Sequence, residues 1–219
     1  TRVRVRGQRL DNELIFNGSR KLSDPALDFT GGMQIIKQPG NPPVFGEQKI
    51  LVILANFQNT TEPALTKEEV SSVVFNQVNN FYKEVSYGKI SLTGKIAGWY
   101  TLAKNQSCNA VTTWSSAIKA ADKDVNYQEY PRIIVIAPLG PKCDWGGFAT
   151  TGKTGMNTQD GYASFSVAAI RTGFVNLETI GHELGHNLGN HHAGFYDCGQ
   201  KSWAKTGCDY SEYGDRYDI

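Results

Sequence analysis

The chain has almost no net charge to offer a partner: 22 lysines and arginines stand against 21 aspartates and glutamates. Nucleic-acid and membrane-surface binders usually carry a marked basic bias, so neither partner is expected. Long hydrophobic runs are missing too. The longest, from Ile50 to Ala55, falls far short of the roughly 20 apolar residues that cross a bilayer. It reads as a buried strand, and no membrane span is expected. No charged-then-apolar leader opens the chain, so a signal peptide is expected to have been removed or never present. Two scarce residue types are informative. Methionine occurs only at Met33 and Met156, and all four histidines lie between His182 and His192.

Cysteine is sparse as well, at Cys108, Cys143, Cys198 and Cys208, with no C-x-x-C pair of the kind that builds a structural zinc site. The even count reads as two disulfides and hence an oxidising compartment. Cys198 and Cys208 would close a short loop, leaving Cys108 for Cys143. Four free buried thiols in a cytosolic protein is the alternative. Sequons at Asn17, Asn59 and Asn105 fit a secreted protein.

Turn residues punctuate the chain at Pro39-Gly40-Asn41-Pro42-Pro43. Residues 1–45 are therefore expected to form an N-terminal extension or the tail of a preceding domain, and residues 46–219 the main domain. In the extension, Arg2, Arg4 and Arg6 alternate with Val3 and Val5, as on a strand with one wet face. Beyond the boundary, Lys49 to Phe57 is apolar enough for a strand buried on both sides. Thr66-x-x-Glu69 is a capping box, followed by Val70, Val74, Val78, Phe81 and Tyr82 at helical spacing. Two short strands are expected at 89–93 and 95–102, separated by Gly94. A helix follows over 110–122 and a central strand over Arg132 to Ala137. Residues 140–161 carry six glycines and read as loop; 162–170 can form a strand, and a last helix is expected from about Val175 to Leu188. This alternation predicts an α/β fold, helices packed on a mostly parallel sheet.

The histidines carry the chemistry. His182-Glu183-Leu184-Gly185-His186-Asn187-Leu188-Gly189-Asn190-His191-His192 fits H-E-x-x-H-x-x-G-x-x-H at every fixed position. On a helix, His182 and His186 stand one turn apart on one face, while Leu177, Ile180, Leu184 and Leu188 fall on the other. Gly189 suits the left-handed residue that ends a helix, after which the chain can return His192; His191 is the alternative third ligand. Three imidazoles on Zn²⁺ leave a fourth position open, as in a catalytic site. Glu183, on the flank, can take a proton from water and pass it on.

That long motif is the metzincin signature. The segments 79–100 (NNFYKEVSYGKISLTGKIAGWY), 182–193 (HELGHNLGNHHA) and 208–219 (CDYSEYGDRYDI) resemble gametolysin-type metallopeptidases within the metzincins, over roughly residues 48–219. The resemblance implies a twisted, mostly parallel sheet with a zinc-binding active-site helix. It also implies His182, His186 and His192 as ligands, Glu183 as the acid/base, and hydrolysis of extracellular proteins, with cell-wall or matrix glycoproteins as one substrate class. It further implies a methionine-containing turn downstream of the third histidine. Both methionines lie upstream, so the chain is expected to stop short of that turn, with its C-terminal subdomain truncated; a propeptide is expected before Thr1.

In such enzymes the substrate lies as an added strand along a sheet edge, here expected between Cys143 and Ile170. Trp145 and Phe148 would either wall that cleft or serve the core. Tyr210, Tyr213 and Tyr217 would either stand near the metal or be buried aromatics, the latter being preferred. Asp209, Glu212, Asp215 and Asp218 would bind calcium or, as preferred, form a solvated acidic surface. The reading is a secreted zinc endopeptidase acting on protein or peptide substrates. Its competitors are a zinc-bearing binding or adhesion module without activity and a small-molecule zinc hydrolase.

Overall fold

In the computed structural model, the described residues are 44–60, 65–103, 105–140, 142–201 and 206–213, with the backbone of 7–10 and 13–16. The expected strand at 1–6, the turn at 39–43, Met33, Asn17, Asp215, Tyr217 and Asp218 lie outside them. The chain divides into two compact units, Thr1–Gly40 and Asn41–Ile219. The first contains an antiparallel pair, β1 (Gly7–Leu10) and β2 (Glu13–Phe16).

The second unit is built on one sheet. Its strands are β3 (Gly46–Phe57), β4 (Ile90–Leu102), β5 (Arg132–Ala137), β6 (Gly147–Ala149), β7 (Thr154–Thr158) and β8 (Gly161–Arg171). They run in the order β4-β3-β5-β8-β6, with β7 also paired to β8. The first four are parallel. β6 and β7 run antiparallel to β8 and form its other edge. The mixed α/β architecture with a mostly parallel sheet is thus as expected.

Both faces of the sheet are covered, which is why β3 and β5 are apolar at successive positions. Leu51, Ile53, Ala55 and Phe57 pack with Trp114, Ala117, Ile118 and Ala121 of helix α3 (Ala110–Ala121). Ile50, Val52 and Leu54 pack on the opposite face with Val70, Val74, Val78, Tyr82, Ile180 and Leu184. Those residues come from α1 (Lys67–Ser71), a π-helical stretch (Ser72–Val78), α2 (Asn79–Val85) and α4 (Leu177–Leu188). The Thr66/Glu69 capping box opens α1 as expected. The π-helical stretch has a reason in the sequence: Val70, Val74, Val78 and Tyr82 repeat every four residues. An α-helix of 3.6 residues per turn would rotate such a row off the sheet; the wider i→i+5 turn keeps it on one face.

Two expectations need correction. Residues 90–102 form one strand, not two. Gly94 does not interrupt it, because the Ile50 carbonyl oxygen lies 1.8 Å from where a Cβ would stand, so glycine is what lets β4 stay paired with β3. The stretch 140–161 is not all loop either. It holds β6, three residues long, and β7, a strand of polar or small residues apart from Met156, which packs against the core.

Candidate active site

Helix α4 is fixed at both ends. Its N-cap is Asn176, whose side chain accepts from Thr179 N–H at 2.8 Å; the helix therefore begins two residues later than the expected Val175. Gly189 closes it at φ +106°, and the N–H groups of Gly189 and Asn190 bond the His186 and Gly185 carbonyls at 2.9 Å each. The expected left-handed glycine is in place.

Two pins that sequence reasoning missed hold the last turn of α4 to the sheet. Arg132, 1% exposed, donates from Nε to Gln48 Oε1 at 2.9 Å, and from Nη1 to Ser166 Oγ at 3.2 Å and to the Asn187 carbonyl. Burial lowers its pKa to about 10, so it remains a cation at neutral pH. Through the Asn187 carbonyl it meets the negative end of the α4 helix dipole, which favours a cation there. Asn187 donates to the Thr150 and Val167 carbonyls at 2.9 and 3.3 Å. The only sequence signal was an arginine leading the otherwise apolar RIIVIA strand.

With the helix so fixed, the imidazoles converge. His186 Nε2 stands 3.1 Å from both His182 Nε2 and His192 Nε2. Among the described residues, these three are the group of His, Cys, Asp or Glu side chains close enough to share a cation. His191 is exposed and lines the same open cleft, about 580 Å³ in volume, without joining the cluster.

Hydrogen bonds set the tautomers. His186 Nδ1–H donates to the Asn190 carbonyl at 2.8 Å, and His192 Nδ1–H donates to Glu212 Oε1 at 2.7 Å. Both Nε2 atoms are then lone-pair donors, and Tyr213 OH donates to the one on His192 at 2.6 Å. Imidazole lone pairs facing each other at 3.1 Å repel unless a cation lies between them, and such a cation would take the one on His192 in place of the Tyr213 hydroxyl hydrogen. The spacing also suits one, since tetrahedral zinc with bonds of 2.0–2.1 Å separates its nitrogens by about 3.3 Å. The donor set therefore fits a zinc ion.

Glu212 and Tyr213 were read otherwise from sequence. Glu212 is not simply a solvated acid, because it orients His192. Tyr213 is not a buried aromatic: it is 61% exposed and packs against the His192 ring, tilted by 33° with centroids 4.1 Å apart. Tyr210 is also exposed and packs on Tyr196 instead. Both Glu212 and Tyr213 are delivered by a hairpin, β9 (Gly194–Asp197) with β10 (Asp209–Glu212), closed at its far end by the Cys198–Cys208 disulfide. Cys108 pairs with Cys143, so both expected disulfides are present.

Glu183 is 6% exposed, and burial alone raises its carboxyl pKa to about 7. Its Oε2 is buried without a protein partner. An orphaned carboxyl oxygen costs desolvation energy; Glu183 follows His182 on α4, and its charge is felt at Tyr213, which stands against His192. Neither Trp145 nor Phe148 borders the cleft at the imidazoles; Trp145 packs partly buried against the core, while Phe148 is 49% exposed. Phe148 turns to the other face of β6, with ring centroids 6.0 Å from Trp114 and 6.1 Å from Trp145.

The chain belongs to metallo-peptidase family M12, whose model matches residues 53–217. A metal, typically zinc, goes with that family, and His182, His186 and His192 form a group able to hold it. No curated protein matches the chain in sequence. Among solved structures, metalloproteinase-II from Bacteroides fragilis aligns over 67% of this chain and 43% of its own, at 14% identity and a TM-score of 0.45. The chain thus spans less than half the length of that protein.

Proposed function

We propose that the chain is a secreted zinc-dependent endopeptidase in which His182, His186 and His192 hold the metal and Glu183 is the general base. The observation that carries this reading is the convergence of three Nε2 atoms, two with their lone pairs fixed by hydrogen bonds, at the helix that also carries Glu183, whose buried carboxyl has an unpartnered oxygen. A zinc ion held there would supply Lewis-acid polarisation of a scissile carbonyl and ease the deprotonation of an attacking water.

Glu183 has the position and the spare oxygen to take that proton and hand it to the leaving nitrogen. The substrate is proposed to lie along β6. Gly146 and Thr150 direct their main-chain bonds at β8, so in an antiparallel ladder the N–H and C=O groups of Gly147 and Ala149 point the other way. An extended peptide can pair with them. Two disulfides support an oxidising, extracellular setting, and among the described residues no helix is long and apolar enough to cross a membrane. The gametolysin-type assignment, with matrix or cell-wall glycoproteins as substrates, rests on the three segments quoted above.

The test compares the protein with Glu183→Ala, measuring zinc content and cleavage of an unfolded protein substrate. The expected result is about one zinc per chain in both and cleavage only by the unaltered protein, with a loss on the order of 10²-fold or more. Zinc in both with cleavage by neither would favour a zinc-bearing binding module. Absence of zinc from both would overturn the ligand assignment.

A further inference from the structure

We infer that Gly147 is a positioning residue for Glu183, its missing side chain being the space in which the catalytic carboxyl stands; the inference rests on the peptidase reading above. β6 alternates, so Phe148 faces Trp114 while Gly147 and Ala149 face α4. A Cβ on Gly147 would lie 2.5 Å from Glu183 Cγ, 2.5 Å from Oε1 and 2.8 Å from Cδ. Non-bonded heavy atoms normally settle near 3.5–4.0 Å, so a methyl group requires a shift of about 1 Å.

The helix cannot supply that shift by backing away. Asn176 caps one end, while Arg132, Asn187 and Gly189 tie down the other. Ile180 and Leu184 of α4 are buried in the core besides. What can yield is the Glu183 side chain, which would be pushed off its present position.

The same residue has a second role through its main chain. Its N–H and C=O point away from β8, toward the side where an extended peptide would pair. Gly147 therefore sets the distance between the proton acceptor and the strand that would hold the scissile bond. Only glycine meets both conditions, because any side chain on this face would occupy the volume of the carboxyl.

The experiment is a two-by-two set: the unaltered protein, Gly147→Ala, Glu183→Ala and the double variant, with Gly152→Ala as a control. A Cβ at Gly152 meets nothing within 4 Å. Metal-free proteins are followed by thermal melting, and the zinc-loaded protein and the two glycine variants by kcat and KM on a peptide substrate. Gly147→Ala is expected to lower Tm by about 3–8 °C in the presence of Glu183, as overpacking does in a domain of this size. It should cost less than half of that once Glu183 is truncated. The kinetic expectation is a kcat lower by about 10–100-fold, with KM within about twofold, zinc content unchanged and Gly152→Ala as active as the parent.

An equal Tm loss in both backgrounds, or unchanged kcat in Gly147→Ala, overturns the inference. Should Gly147→Ala fail to fold, recovery of folding in the double variant supports the contact and its absence rejects it. If the unaltered zinc-loaded protein does not cleave, the peptidase reading fails. The melting cycle still decides the contact in that case.

Discussion

His192 is the ligand candidate with the least support from regular structure, since it follows the end of α4 and has no helix to hold it. Its orientation depends on Glu212, which accepts from Nδ1 at 2.7 Å, and on the Tyr213 ring packed against it. Partners that orient a metal-bound histidine typically govern affinity by 10–100-fold. Glu212→Gln keeps the size but offers a weaker acceptor and can present an amide N–H instead. Zinc affinity, measured by competition with a chromogenic chelator, is expected to fall about tenfold or more, with Tm of the metal-free protein nearly unchanged. An unaltered affinity would mean that His192 is held by its backbone alone. This partner could not be read from the sequence. Glu212 stands 20 residues beyond His192, and only the hairpin return of β9 and β10 brings them together. The H-E-x-x-H spacing, by contrast, is a local consequence of helix pitch, so His182 and His186 were legible at once.

At the scale of elements, α4 matters most, because one helix carries Glu183 and two of the imidazoles. Its two ends make different predictions. Asn176→Ala removes a cap and should cost about 1 kcal/mol, a Tm lower by about 2–4 °C, with zinc binding intact because the first turn lies away from the ligands. Arg132→Met strips the Asn187 carbonyl, Gln48 and Ser166 of a charged donor in a buried setting. The expected cost is larger, about 2–4 kcal/mol, and isothermal titration should show weaker zinc binding because the last turn carries His186. Equal effects on zinc from the two variants would argue against the pinning role. The apolar strands β3 and β5 and the capping box of α1 were legible because burial on both faces and cap chemistry are written in consecutive residues. The edge strands were not: β6 has three residues, and its placement depends on Glu183 and β8 rather than on any pattern of its own. Gly94 misled for a related reason, since whether a glycine breaks a strand or admits a neighbour depends on a carbonyl from Ile50, 44 positions earlier in the chain.

For the molecule as a whole, the two disulfides and the metal act on different quantities. In the chain-entropy account, a crosslink stabilises by shrinking the unfolded ensemble, and more so for longer loops. Cys108–Cys143 spans 35 residues and Cys198–Cys208 spans 10, which corresponds to about 4 and about 3 kcal/mol respectively. The longer bridge joins the segment before α3 to the segment before β6, both packed into the core that α3 shares with the sheet, so its loss should be felt across the whole fold. The shorter one closes the hairpin that carries Glu212 and Tyr213, exposed at nearly every residue, so its loss should be felt chiefly at the metal. Zinc at 100 times its Kd adds about 2.7 kcal/mol by mass action, or roughly 5–11 °C in Tm for a chain of this length. Replacing Cys108 and Cys143 by Ser is therefore expected to lower Tm with and without zinc alike, leaving the zinc-induced rise intact. Replacing Cys198 and Cys208 should lower the metal-free Tm less and shrink the rise at a fixed zinc concentration, because the third imidazole is no longer held. Paired thermal melts with zinc and with a chelator read both quantities at once. If both disulfide variants keep the full zinc-induced rise, the hairpin does not hold His192, and its bonds to Glu212 and Tyr213 form only as a consequence of the fold around them.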